Sequence, residues 1–308
     1  MSEHIPVLLN EAIDGLNIKP DGIYLDLTLG RAGHSQEILK RLTSGKLIAF
    51  DQDEEAIIKS KPILDSIGKN YILFHTNFVN VKEKMSELDL VGKVDGILMD
   101  LGVSSPQFDD SSRGFTYQVD TELDMRMDKR NSLTAKEVIN SYSLEDLIRI
   151  FKNYGDERYA NAIARNIVRA REASPINSTF ELVEIIRKSK PAKVIHKEGH
   201  PAKQVFQALR IEVNDELNVL TSALKQASEI LASKGRLVVI SFHSGEDKIV
   251  KSIFRELAVE EGNRINLPTV SKKLDFTLIS HKPIVASDKE LEVNNRAHSA
   301  KLRILERV

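Results

Sequence analysis

The segment Asp26-Leu-Thr-Leu-Gly30-Arg-Ala-Gly33-His34-Ser35 sets an acid, two glycines and a histidine within ten residues. Glycines let backbone N–H groups approach a ligand closely, and a helix starting there favours an anionic group. Asp51 follows about twenty residues beyond the loop, where a carboxylate can accept both hydroxyl protons of a ribose diol. Together, loop and acid point to a nucleoside-containing cofactor without separating NAD from S-adenosylmethionine, although the third glycine of G-x-G-x-x-G is missing. Asp100-Leu-Gly-Val-Ser-Ser-Pro106-Gln107-Phe108 is a second acid-led loop. An acid there can accept a hydrogen bond from an adenine exocyclic amine, and a small-residue loop can shape an adjacent pocket. Taken singly, each feature has a plainer reading: a tight turn, a loop cap, a strand-ending turn.

Such residues need strands to position them. Ile23 to Leu29, Leu47 to Phe50, Tyr71 to Phe74 and Val94 to Met99 are short apolar runs bounded by Gly, Asp or Asn, as buried strands are. Ser35 to Leu42 and Glu54 to Leu64 have helical length and composition, giving the βαβα rhythm of a parallel sheet covered on both faces. Asp26, Asp51 and Asp100 then lie at or near strand carboxyl ends, where open α/β sheets bind ligands.

After Asp100 the rhythm stops. From about Phe108 to Lys203 helical patterns dominate, among them Ser143 to Lys152, Asp156 to Glu172 and Thr179 to Lys188. Phe206, Leu209, Val213, Leu217, Leu220, Leu224, Ala227 and Leu231 then recur every three or four residues, predicting one long helix stopped by Gly235. Arg236 to Phe242 resumes the strand pattern, and Phe276 to Ser280 and Lys301 to Arg307 are candidate final, antiparallel strands. The expected architecture is an α/β sheet domain of residues 1–107 and 204–308, interrupted after its fourth strand by an inserted helical domain of residues 108–203.

The chain has 308 residues, with 44 Lys+Arg against 45 Asp+Glu, so its net charge of −1 excludes a globally basic nucleic-acid coat. Cysteine is absent, which removes disulfides, thiol nucleophiles and thiolate metal sites. With neither a membrane span nor a signal-like amino terminus in the sequence, a cytoplasmic protein is expected. Ser241-Phe-His243-Ser244 and Glu246-Asp247 lack a nucleophile elbow and a second histidine at ligand spacing, so no metal is expected there and His243 is read as pocket wall.

The motifs quoted above, with His4-Ile-Pro-Val-Leu-Leu-Asn-Glu-Ala, Arg113-Gly-Phe, Leu123-Asp-Met-Arg-Met-Asp128, Asn153-Tyr-Gly-Asp-Glu-Arg158, Phe206-Gln-Ala-Leu-Arg-Ile-Glu-Val-Asn-Asp-Glu216 and Ser299-Ala-Lys-Leu-Arg303, run the length of the chain. In them the chain resembles the bacterial ribosomal RNA small-subunit methyltransferase H (MraW) family. The resemblance implies a class I, Rossmann-like methyltransferase sheet using S-adenosylmethionine to methylate N4 of a cytidine in the decoding region of 16S ribosomal RNA, in the small ribosomal subunit. It places cofactor contacts on Ala32, Gly33, His34, Asp51, Phe78, Asp100 and Gln107. The family often carries glycine where Ala32 stands, and Ala32 can still offer its N–H if φ is negative. Where the family often has Pro-Arg-Ala-Arg, this chain has Asn295-Arg-Ala-His298, one positive charge fewer.

A cytosine N4 lone pair is delocalised into the ring, so the task is to hold the amine in line with a sulfonium methyl, with acceptors orienting its hydrogens. Ser104, Ser105, Asp100 and Asp124 are candidate acceptors, and Phe108, Phe115 and Tyr117 are candidate stacking surfaces for a reachable base, with core packing the plainer role for each ring. RNA affinity must come from concentrated charge: Ile185 to Lys203 holds Arg187, Lys188, Lys190, Lys193, Lys197 and Lys203 against Glu198 alone. Arg158, Arg165 and Arg169 share one helix face at 100° per residue, opposite Tyr159, Ile163, Ile167 and Ala170. Two competing functions stay open, a nicotinamide-dependent oxidoreductase and a non-catalytic RNA-binding assembly factor. Self-association as a homodimer is also left open.

Overall fold

A computed structural model describes residues 5–103, 110–195, 199–259 and 274–308. Its first half alternates strands β1 (Ile23–Asp26), β2 (Lys46–Asp51), β3 (Tyr71–His75) and β4 (Val94–Asp100) with helices. These are α1 (Leu9–Leu16) before β1, then α2 (Gly33–Arg41), α3 (Glu54–Asp65) and α4 (Val81–Glu87). Alternate residues of each strand feed opposite cores, which is what buries both faces. Leu25, Ile48, Phe50, Ile97 and Met99 join one cluster with Val81 and Met85 of α4. Tyr24, Leu47, Ala49 and Leu98 join another with residues of α1, α2 and α3. A fully buried aliphatic or aromatic side chain contributes about 1.5–3 kcal/mol, so the apolar runs themselves drive sheet formation.

The middle of the chain is helical: α5 (Ala135–Ser141), α6 (Leu144–Asn153), α7 (Ala160–Ala173), α8 (Thr179–Lys188), α9 (Ala192–Ile195) and α10 (Lys203–Val213). Side-chain caps start several of them, with Ser143 capping α6 and full capping boxes of Thr134 with Glu137 and Ser178 with Glu181 opening α5 and α8. The helices enclose their own core, including Leu147, Ile150, Phe151, Ile163, Ile167, Leu182 and Ile186.

The chain closes with α11 (Glu216–Ile230), β5 (Leu231–Ser241), α12 (Ser244–Ala258), β6 (Phe276–Leu278), α13 (Asp288–Val293) and β7 (Lys301–Arg307). The seven strands run in the order β3-β2-β1-β4-β5-β7-β6. Pairing is parallel from β3 through β5, and antiparallel at β5–β7 and β7–β6. The winding direction reverses between β1 and β4, and Asp26 ends β1 beside Leu98 while Asp51 and Asp100 end β2 and β4. Three acids thus share the carboxyl edge at and beside a topological switch point.

Two compact units result, Met1–Gly102 with Leu217–Val308, and Val103–Glu216. The single helix expected from Phe206 to Leu231 is two. Asp215 takes the left-handed conformation, φ 48°, and separates α10 from α11. Its neighbour Asn214 explains the break: the Asn214 Oδ1 accepts the Met127 N–H at 2.7 Å and its Nδ2 donates to the Met125 carbonyl at 2.8 Å. Helix α10, grouped with the sheet by sequence periodicity, packs Phe206, Leu209 and Val213 into the helical unit's core. The expected helix from Asp156 begins instead at Ala160, because Asp156 also lies at positive φ. Leu231 pairs with Val94 and opens β5 rather than ending a helix, so the strand begins before the expected Arg236.

Lys190 and Glu157 form a buried ion pair at 2.6 Å, with side chains 5% and 2% exposed. Lys190 also donates to the Pro201 carbonyl, and Glu157 accepts the Tyr159 N–H. Lys190→Met strands a buried carboxylate and should cost about 3–5 kcal/mol in urea denaturation. Adding Glu157→Gln, which keeps an acceptor for Tyr159 and removes the charge, should recover most of that loss.

Candidate functional site

The crevice at the sheet's carboxyl edge is built around Asp26. Its buried carboxylate accepts the Ser35 hydroxyl at 2.6 Å and the Thr28 N–H at 3.0 Å, tying the end of β1 to the first turn of α2. The Thr28 hydroxyl in turn accepts the Asp100 N–H at 2.7 Å, joining β1 to β4. Asp51 accepts N–H groups from Gly30 at 2.8 Å and Asp53 at 2.9 Å, so the glycine loop is moored to the end of β2. Ser60 of α3 donates to the Gly30 carbonyl, holding the loop from its other side.

The residues expected at the loop take different parts. Ala32 sits at φ 59°, not at the negative φ on which a free N–H depended, and its N–H donates to the Leu29 carbonyl at 2.7 Å. Its role is to make the left-handed turn into α2, a conformation that glycine adopts without strain. A Cβ on Gly33 would come within 2.4 Å of Pro6 Cγ, so the amino-terminal segment lies directly against this glycine. His34 is buried, with Nε2 3.1 Å from the Val7 carbonyl and Nδ1 3.7 Å from an Asp100 oxygen. Phe78 opens a short turn after β3, half-buried against the sheet core. Gln107 lies outside the described residues, as do Ser104, Ser105 and Phe108.

Electrostatics set this crevice apart. Burial pushes Asp51 up to about 7, with the Asp53 and Asp26 charges adding to the shift and the N–H bonds opposing it. Burial, then Asp26 and Glu246, hold Asp100 well above the usual carboxylate range, and burial raises Asp26 as well. The Asp100 Oδ1 is buried with no hydrogen-bond partner among the described residues. A buried acceptor left unsatisfied costs about 1–3 kcal/mol, so this atom suits a donor brought by a ligand. The donor set fits a cofactor with a ribose diol for Asp51, an amine for Asp100 and a positive charge to offset the clustered acids.

Sequence reasoning missed Thr28, Ser35 and Ser60, which position the acids, and the partners of Glu246 and Asp124. Glu246 accepts N–H groups from Phe242 and His243 at 2.8 and 3.2 Å, in a capping box that starts α12 with His243 as the cap. The three-residue spacing from His243 to Glu246 carried that signal, although a histidine cap is uncommon. Asp124 is taken up by Arg126, which donates to it from Nε at 2.7 Å and Nη2 at 2.9 Å.

Within the helical unit the expected basic stretch divides. Lys190 is the buried partner of Glu157, Arg187 lies 3.4 Å from Glu184, and Lys197 falls outside the described residues. Lys188, Lys193 and Lys203 are exposed without an ion-pair partner among the described residues, as are Arg165 and Arg169 on α7 and Arg158 just before it. Phe115 is buried in the helical core, whereas Tyr117 is half-buried, stacked on His200 with ring centroids 4.0 Å apart.

This is a Rossmann-like sheet of the class I methyltransferase type, with a helical insertion after its fourth strand. The MraW methylase family model matches residues 1–308, and the chain belongs to that family. A ribosomal RNA small subunit methyltransferase H from Mesoplasma florum is 51% identical over 311 residues, covering 100% of each chain. The enzyme of that name from Spiroplasma kunkelii is 55% identical, covering 99% of each. Among solved structures, a methyltransferase from Streptococcus mutans in complex with SAH is similar at TM-score 0.47 and 14% identity, covering 99% of this chain and 100% of that one.

The shift of Asp51 has a measurable consequence. Its folded pKa of about 7 lies above the ordinary 3.8, so the ligand-free fold keeps a proton that the unfolded chain releases. That contribution to stability is complete below about pH 4 and is lost as the pH rises to about 7. In urea titrations across this window, Asp51→Asn should flatten the fall in unfolding free energy by up to about 1.4 kcal/mol per pH unit. An unaltered slope would mean that Asp51 is already ionised in the fold.

Proposed function

We propose that this chain is the S-adenosylmethionine-dependent methyltransferase acting on N4 of a cytidine in the decoding region of 16S ribosomal RNA, as part of the small ribosomal subunit in the cytoplasm. The observation that carries the cofactor is the Asp100 oxygen, without a partner among the described residues, within a set of carboxylates: Asp26, Asp51, Asp100 and Glu246. S-adenosylmethionine brings a cationic sulfonium and amine donors to that field. A nicotinamide dinucleotide would bring two negative phosphates, and like charges in a low-dielectric site repel strongly. The chain's relatives are named as small-subunit ribosomal RNA methyltransferases, which supports the RNA substrate and disfavours a non-catalytic assembly factor.

In this proposal Asp51 holds the ribose hydroxyls and Asp100 accepts from an exocyclic amine. Gly33 and His34 fix the loop, Ala32 turns it, and Phe78 and Gln107 complete the cofactor contacts on the strength of the family resemblance. The bound cofactor supplies an electrophilic methyl. Cytosine N4 becomes cationic on methylation and sheds a proton readily, so the site needs acceptors that orient the amine rather than a strong base. The exposed cations Arg158, Arg165, Arg169, Lys188, Lys193 and Lys203 give the RNA a surface within the helical unit.

Asp51→Ala should weaken S-adenosylmethionine binding about tenfold to a hundredfold in calorimetry, the worth of one to two charge-assisted hydrogen bonds. Arg165→Glu with Arg169→Glu should weaken RNA binding and lower its salt dependence while leaving cofactor affinity unchanged. Mass spectrometry of 16S RNA from a deletion strain decides the whole reading, because N4-methylcytidine at its normal level there would refute it.

A further inference from the structure

A second recess lies in the sheet-bearing unit, between α12 and the β6–β7 edge, with a volume of about 390 Å³. Phe254 lines it together with Lys251, Arg255, Ser280, His281 and Arg303, and no carboxylate is among the described residues that line it. Lys251 and Arg255 stand one helical turn apart, and Lys248 continues their stripe a turn earlier. All three are exposed with no ion-pair partner among the described residues, and His281 is exposed as well.

Arg303 gives the recess a fixed element. Its side chain is 10% exposed and holds Asp247 through Nε at 2.7 Å and Nη2 at 3.3 Å. Lys301 also reaches Asp247, at 3.3 Å, so that carboxylate is already neutralised. A guanidinium carries five N–H donors, and these two bonds leave the Nη1 pair uncommitted. One oriented buried guanidinium flanked by two exposed cations is the chemistry that recognises a tetrahedral anion.

We propose that this recess is a phosphate pocket that takes a backbone phosphate of the RNA substrate, giving the sheet-bearing unit an RNA contact of its own. The proposal rests on the RNA reading above. A free phosphate-bearing small molecule would offer the same chemistry, so the test separates the two sources. RNA is favoured because the stripe from Lys248 to Arg255 extends along α12 beyond one phosphate's reach, as a polyanion would use it. Lys251 lies eight residues beyond the His243 cap, roughly 12 Å along the helix from the carboxyl edge of the sheet.

The experiment uses the full-length protein with Lys251→Gln and Arg255→Gln together, both exposed and outside the cofactor site. Titration with a 16S RNA fragment containing the decoding region, at several salt concentrations, should show binding about tenfold weaker and a slope of log affinity against log salt smaller by about 1, with S-adenosylmethionine affinity unchanged. A parallel titration with inorganic pyrophosphate identifies the other source. Loss of pyrophosphate binding with an unchanged RNA slope would overturn the RNA assignment and leave a small-anion site. An unchanged response to both probes would overturn the pocket altogether. If the wild-type protein itself bound no RNA, the substrate reading would fall together with this one, which distinguishes that failure from a failure of the pocket alone.

Discussion

Asp26 accepts a 2.6 Å hydrogen bond from Ser35 and an N–H from Thr28, and Thr28 in turn takes the N–H of Asp100. Through these bonds one buried carboxylate joins the end of β1, the start of α2 and the end of β4 at the point where the sheet reverses its winding. The bonds satisfy Asp26 but do not neutralise it, so its charge acts on the acids around it. Asp100 is raised by burial and then by Asp26, and Asp51 feels Asp26 after Asp53. Acids crowded in this way hold their protons more tightly than usual, and a cation brought among them would favour their charged forms.

The same constraint shapes the glycine loop. Gly30 donates to Asp51 and Ala32 donates to Leu29, so two N–H groups that could have cradled an anion are already engaged. At those two positions the usual logic of a glycine loop, a phosphate on free amides, does not operate. The Gly30 amide instead holds Asp51 in place, and the Ala32 amide closes the turn. Gly33 serves closeness in another direction, because Pro6 occupies the space where a side chain would project. The amino-terminal segment is itself tied down, with Leu8 donating to Glu290, Asn294 to the Ile5 carbonyl and Val7 meeting His34.

Most of the sheet was legible from apolar runs, because a strand buried on both faces has little freedom in composition. β1 to β4 lie where the runs and their terminal acids placed them, and the antiparallel closing strands follow the same pattern. What escaped was set by single side chains acting over long distances in sequence. Asn214 breaks a perfectly periodic helix because its amide bonds Met125 and Met127, roughly ninety residues earlier, and hydrophobic spacing carries no trace of that. Lys190 looked like one more surface cation in a basic stretch, yet it is the buried partner of Glu157. At the site, Asp51 and Asp100 stood out by strand order, whereas Ser35, Thr28 and Ser60 did not, since a hydroxyl near a loop is too common to signal.

The near-zero net charge hides a separation of roles. In the sheet-bearing unit Asp26 at the carboxyl edge is buried and raises Asp51 and Asp100, while Arg303 and Lys301 neutralise Asp247 and leave a basic face along α12. In the helical unit, the cation that stabilises the fold is buried, and those left over are exposed without an ion-pair partner among the described residues. A single-headed surface cation paired with an acid of its own fold would have to break that contact to bind a polyanion, whereas a guanidinium such as Arg303 keeps further N–H donors. That Arg165, Arg169, Lys188, Lys193 and Lys203 have no ion-pair partner among the described residues supports the proposed RNA face more than their number does.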